Sequence, residues 1–156
     1  MRPLPLPPSA PGQVWLSAMP GRLQPWSQFE ADARRRGLTR IVCLTPLDEV
    51  AELSPDYHAA VVEGRLPCRW QPLAMRNFGL ADSLRAYQDG VAEMADALAA
   101  GEVLLLHCAA GIGRTGTTAA CLLKRLGLPA DEALRRVREA GSNPESALQS
   151  GLIERF

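Results

Sequence analysis

The chain has 156 residues, with 17 Lys and Arg against 17 Asp and Glu, so its formal charge is zero and no global field draws it to nucleic acid or an acidic membrane surface. Its length suits one domain, able to bury about two thirds of the surface an unfolded chain exposes. Four cysteines (Cys43, Cys68, Cys108, Cys121), no secretory apolar segment and no run long enough to span a bilayer lead to the expectation of a cytoplasmic protein with free thiols.

Residues 1–12 carry five prolines and no hydrophobic periodicity, which predicts an extended lead-in outside the fold, with a single domain over 13–156. A short strand is expected over 14–16. Ser27 and Glu30 have capping-box spacing and open a helix that Gly37 ends, with Arg34, Arg35 and Arg36 as a solvated last turn favourable to the helix dipole. Residues 40–44 read as a buried strand, followed by a turn with acidic residues. Ser54-Pro55 starts a short helix closed by Gly64. A third strand is expected over 68–73. Asp82 can cap a longer helix whose apolar stripe is Leu84, Tyr87, Val91, Met94 and Leu98, ended by Gly101. An apolar strand over 103–107 precedes a helix over 115–126 with Gly127 behind it, and a helix pair follows Pro129. Strands alternating with helices predict a three-layer α/β domain around a mainly parallel sheet. Trp15, Trp26 and Trp70 are not interleaved with basic residues and read as packing rather than as stacking platforms for bases.

Chemistry concentrates in LLLHCAAGIGRTGTTAACLLKRLG, residues 104–127. Gly111, Gly113 and Gly116 spell the dinucleotide fingerprint, but only 40 residues follow Gly116, too few for the strands a nucleotide crevice needs. Asp131 and Glu132 fall at a helix start, not at the strand end where a ribose-binding carboxylate belongs. A second reading uses the whole stretch. Backbone N–H groups of Ala109, Ala110, Gly111, Ile112 and Gly113, ending at a helix N-terminus, form a cradle for an anion of phosphate size. The planar fork of Arg114 returns to the same centre and can donate to two oxygens. Cys108, at the base of the cradle, feels the same dipoles, which favour its thiolate.

The segment His107-Cys108-Ala109-Ala110-Gly111-Ile112-Gly113-Arg114-Thr115-Gly116 resembles the signature loop of the cysteine-dependent protein tyrosine phosphatases. Residues 16–21, 41–45 and 147–156 extend the resemblance to the dual-specificity branch, especially the kinase-associated phosphatases, over 13–156. The resemblance implies a protein tyrosine phosphatase-like fold and a nucleophilic Cys108 that forms a phosphocysteine. Arg114 would bind phosphate and stabilise the transition state, Thr115 would hydrogen-bond the sulfur, and His107 would tune the thiolate from behind the loop. It further implies a monomer acting on phosphoproteins or small phosphomonoesters, with no metal or organic cofactor. The inositol-lipid branches place lysines in this loop; Ala109, Ala110 and Ile112 are apolar, which favours phosphotyrosine and other phosphoproteins.

The pattern is incomplete at the general acid, which the family takes from an aspartate ahead of the long helix. Met75, Arg76 and Asn77 occupy that position here. Asp82 is the nearest candidate, as acid or as helix cap, with Asp48 and Glu49 as a second choice; Arg76 could face the substrate. Gln149 matches a glutamine that orients the hydrolytic water in the family, or is a surface helix residue. Cys43 could pair with Cys108 on oxidation or be a buried structural cysteine. The alternative to an enzyme is a pseudophosphatase or phosphate-dependent binding module that keeps the cradle and lacks the acid.

Overall fold

The computed structural model describes all 156 residues. Five strands, β1 (Arg2–Leu4), β2 (Gln13–Ser17), β3 (Arg40–Cys43), β4 (Arg69–Pro72) and β5 (Val103–His107), form one sheet in the order β1-β2-β5-β3-β4. All neighbours are parallel except β1, which runs antiparallel to β2. Seven helices surround it: α1 (Trp26–Arg36), α2 (Leu47–Leu53), α3 (Pro55–Val62), α4 (Leu84–Ala99), α5 (Gly113–Arg125), α6 (Ala130–Glu139) and α7 (Ala147–Arg155).

The layers follow from the two-residue period of the strands. Leu104 and Leu106 of β5 join Val42 in a core closed by Val91, Met94 and Leu98 of α4, Leu122 of α5, Val137 of α6 and Ile153 of α7. Leu105, pointing the other way, joins Ile41 and Cys43 in a smaller core under Phe29 of α1, Val50 of α2 and Tyr57 of α3. A strand buried on both faces must be apolar throughout, which is why β5 reads as a continuous run. The expected three-layer α/β arrangement is therefore the observed one. Ser17 and Cys43 both lie in register with His107, so β2, β5 and β3 end level, and the loops leaving these carboxyl ends share one crevice. No helix is long and apolar enough to cross a membrane.

Several expectations are corrected. The proline-rich start is not outside the fold: Arg2, Pro3 and Leu4 pair with Leu16, Trp15 and Val14, and Leu4 is buried in the larger core. An edge strand tolerates proline because the missing N–H would face away from the ladder. Helix α1 starts at Trp26 behind Pro25 with no side-chain cap, so the Ser27 and Glu30 box does not form. Helix α2, read as a turn, is short and opens with Asp48 and Glu49 in its first turn, where acidic side chains suit the dipole. Ser83 rather than Asp82 caps α4, its hydroxyl accepting from the Ala86 N–H at 3.2 Å. That register leaves Leu84 exposed, and the buried stripe begins at Tyr87. Helix α5 starts at Gly113, two residues ahead of the expected 115. The tryptophans do pack: Trp15 carries the Arg36 guanidinium 3.9 Å above its ring, Trp26 stacks on Tyr57 at 5.8 Å, and the Trp70 N–H donates to the Tyr57 hydroxyl.

Candidate active site

Leaving β5 at His107, the chain winds through residues 108–112 into the first turn of α5. Gly111 sits at φ +75°, and a Cβ there would fall on the Ser17 backbone carbonyl at the end of β2, so glycine is required. The loop carbonyls are bonded outward. Gly111 O accepts from Arg2 Nη2 at 2.6 Å and from the Ser142 hydroxyl at 2.7 Å. Ala109 O accepts from Arg22 Nη1 at 2.7 Å and from the Met19 N–H at 3.3 Å. Ile112 O takes the N–H groups of Gly116 and Asn143 at 2.7 and 3.3 Å. Turning carbonyls outward leaves amide N–H groups for the concave side, the arrangement of an anion nest. The Gly111 N–H already uses that side, donating to Cys108 Sγ at 3.2 Å.

Arg114 follows in the first turn of α5 with its side chain 3% exposed. Its Nη1 and Nη2 donate to the two Glu49 oxygens at 2.9 and 2.7 Å, and Nη1 also reaches the Met75 carbonyl at 3.3 Å. Of five N–H donors, the one on Nε and a second on Nη2 remain for another anion. Burial alone would lower the Arg114 pKa; hydrogen bonding to Glu49 and the charges of Glu49 and Cys108 outweigh it and raise the pKa. Glu49 is therefore the counter-ion that fixes the fork, and the expectation of a proton donor at Glu49 is corrected.

Behind the loop His107 is fully buried. Its Nδ1 lies 3.3 Å from the Cys108 carbonyl, which can only accept, so Nδ1 carries the proton and Nε2 accepts from the Tyr57 hydroxyl at 2.9 Å. Burial pushes the His107 pKa down to about 4, opposed by the bond to Cys108 and reinforced by the nearby Arg114 charge. A neutral imidazole thus links the Trp70–Tyr57 pair to the backbone of the nucleophile candidate.

The cleft above has a volume of about 220 Å³. Cys108, Ala109, Ala110, Gly113 and Arg114 form its floor; Asn77, Phe78, Arg22 and Glu145 form its walls. Asp82 is not among them: its carboxylate pairs with Arg76 at 3.0 Å, and both side chains are largely exposed, so Arg76 is turned to Asp82 as well. The segment that holds the family's acid is tied down at Met75, whose N–H donates to the Leu44 carbonyl at 3.0 Å. Phe78 at its tip adopts φ +54°.

Other candidates lie elsewhere than expected. The Thr115 hydroxyl is buried with no hydrogen-bond partner, so the Gly111 N–H, not Thr115, is the sulfur's donor here. Gln149 is not on the surface: it is buried and its Oε1 accepts from the Glu145 N–H at 2.8 Å. Cys43 is a buried free thiol donating to the Thr45 carbonyl at 3.3 Å, and burial raises its pKa to about 11. No group of three or more His, Cys, Asp and Glu side chains is placed to hold a metal ion. Sequence reasoning missed Arg2, which bonds the Gly111 carbonyl, and the presence of Glu145 in the cleft wall, whose only signal was proximity to Gln149 in the chain.

A phosphatase family described as "Swiss Army Knife protein, DSP-PTPase phosphatase domain" matches residues 15–150. The chain is similar in fold to the kinase associated phosphatase crystallised with its catalytic-site cysteine replaced by serine, at 18% identity over 92% of this chain and 85% of that one, TM-score 0.79. It is also similar to Tk-PTP in its active form, at 25% identity over 95% of each chain, TM-score 0.68. Human DUSP28 is a third such structure, at 19% identity over 96% of this chain and 91% of that one, TM-score 0.65.

Proposed function

The chain belongs to the Swiss Army Knife DSP-PTPase phosphatase domain family, and from that membership we propose that it hydrolyses phosphoprotein monoesters in two steps through a phosphocysteine on Cys108. In the first step the Cys108 thiolate attacks phosphorus, the S–P bond forms, and the P–O bond to the leaving group breaks as that oxygen takes a proton. In the second, water attacks, the S–P bond breaks and inorganic phosphate departs. The two free N–H groups of Arg114 hold equatorial oxygens of the transferring phosphoryl group, and the loop amides other than that of Gly111, which bonds the sulfur, hold the rest. Donors set in advance around developing charge are each worth about 10²- to 10³-fold in rate.

The observation that carries this reading is the Gly111 N–H bonded to Cys108 Sγ in a cleft that a Glu49-anchored Arg114 also lines. Thr115, whose hydroxyl has no other partner, bonds the sulfur as it leaves phosphorus. Phe78, Ala109 and Ala110 give the cleft apolar walls and floor suited to a phosphotyrosine ring. The enzyme acts as a monomer in a reducing cytoplasm, without metal or organic cofactor.

One observation favours the second reading, a phosphate-dependent binding module: the 75–83 segment presents no carboxylate to the cleft. Turnover of p-nitrophenyl phosphate and of a phosphotyrosine peptide, each with wild type and Cys108→Ser, separates the two. Phosphate release by wild type alone supports the enzyme. Tight phosphopeptide binding with no release from either substrate supports the module.

A further inference from the structure

Loss of an alkoxide or phenoxide needs a proton, and every acidic side chain the sequence singles out for that task is engaged elsewhere. Glu49 spends both oxygens on Arg114. Asp48 accepts from the Glu49 N–H at 2.9 Å. Asp82 pairs with Arg76 in solvent. One carboxyl group does line the cleft with Cys108 and Arg114, and it comes from the opposite wall: Glu145, in the segment between α6 and α7.

We propose that Glu145 is the proton donor to the leaving group, an inference that rests on the phosphatase reading above. Its carboxylate forms no ion pair or side-chain hydrogen bond and lies against Gly113, the glycine that opens α5. The backbone around it is fixed on both sides. Upstream, the Asn143 N–H bonds the Ile112 carbonyl of the signature loop, and Gly116 lacks the Cβ that would strike the Asn143 backbone. Downstream, the Glu145 N–H is held by Gln149, and Ser146 caps α7 by accepting from the Gln149 N–H at 3.2 Å. Through that bond Gln149 is a positioning residue for Glu145.

As sulfur attacks and the P–O bond breaks, the Glu145 carboxyl hydrogen passes to the departing oxygen, leaving a carboxylate. In the second step that carboxylate takes a proton from the attacking water, so the cycle closes with Glu145 protonated and Cys108 a thiolate. The charged groups around it are Arg22, Arg114 and Cys108 in the cleft, joined by the substrate's phosphoryl group.

The test compares phenyl phosphate, a poor leaving group, with p-nitrophenyl phosphate, a good one, across pH for wild type, Glu145→Gln, Glu145→Asp and Asp82→Asn, with folding checked by thermal melting. Glu145→Gln is expected to lose about 10²- to 10⁴-fold in kcat/KM on phenyl phosphate together with the basic limb of its pH profile, and less than about tenfold on p-nitrophenyl phosphate. Glu145→Asp restores the basic limb. Equal losses on both substrates, a change within about threefold on both, or a leaving-group-dependent loss in Asp82→Asn overturns the proposal. Wild type inert on p-nitrophenyl phosphate refutes the phosphatase reading itself; wild type active with Glu145→Gln unaffected refutes only this assignment.

Discussion

Replacing Glu49 with glutamine tests how Arg114 is held. The substitution keeps size and one acceptor oxygen but removes the charge that meets both terminal nitrogens at 2.7 and 2.9 Å. Removing one partner of a fully buried pair costs about 3–5 kcal/mol, because a charge is left uncompensated. Arg114 is 3% exposed but Glu49 is 27% exposed, so solvent and the retained amide oxygen reduce the loss to about 2 kcal/mol. For a domain of this size that is a fall of about 4–8 °C in Tm. A guanidinium no longer held in place also loses its orientation towards phosphate, so kcat/KM on p-nitrophenyl phosphate falls about 10²-fold, much as when one preorganised oxyanion donor is removed. Thermal melting by circular dichroism and steady-state kinetics on the same preparation give both numbers. Unchanged Tm and unchanged kcat/KM would refute the role of Glu49 as the fork's anchor.

Three further outcomes follow from the loop and its supports. His107, neutral and buried with its pKa at about 4 against an ordinary 6.5, takes up a proton more readily when unfolded. Stability is therefore full above pH 6.5 and declines down to pH 4, by about 3 kcal/mol at one pH unit per 1.36 kcal/mol; urea titrations from pH 7 to 4 measure this, and His107→Asn should flatten the curve. Gly111→Ala forces a side chain into φ +75° and onto the Ser17 carbonyl, costing at least about 1–3 kcal/mol and most of the activity, read by melting and p-nitrophenyl phosphate turnover. Arg2→Ala removes charge-assisted bonds to the carbonyls of Gly111 and Gly141 and to Ser142, so a loss of about 1–2 kcal/mol with a several-fold fall in kcat is expected in the same two assays.

The stretch from β5 through the loop into α5 was legible because each residue there answers a local demand: an apolar strand buried on both faces, glycine where φ is positive, and an arginine in the first turn of the helix. The partners of that loop were not legible, since their roles arise only when distant segments meet. Glu49, in the first turn of α2, satisfies the helix dipole whether or not Arg114, 65 residues on, arrives beside it. Arg2 sits among prolines that mimic an unstructured tail, and only the assembled sheet gives it an edge to pair with. Asp82 and Ser83 are both good caps, and a one-residue difference in register decided between them and exposed Leu84. Glu145 lies in a segment of no regular structure, so no periodicity pointed it at the cleft.

Chemical trapping of the intermediate tests the central claim most directly. Wild-type protein mixed with a peptide bearing radiolabelled phosphotyrosine is quenched within one turnover, digested and mapped by mass spectrometry. The account predicts one labelled fragment, phosphorylated on Cys108 and absent in Cys108→Ser. Phosphate release from wild type with no protein-bound label, or label retained in Cys108→Ser, would contradict it.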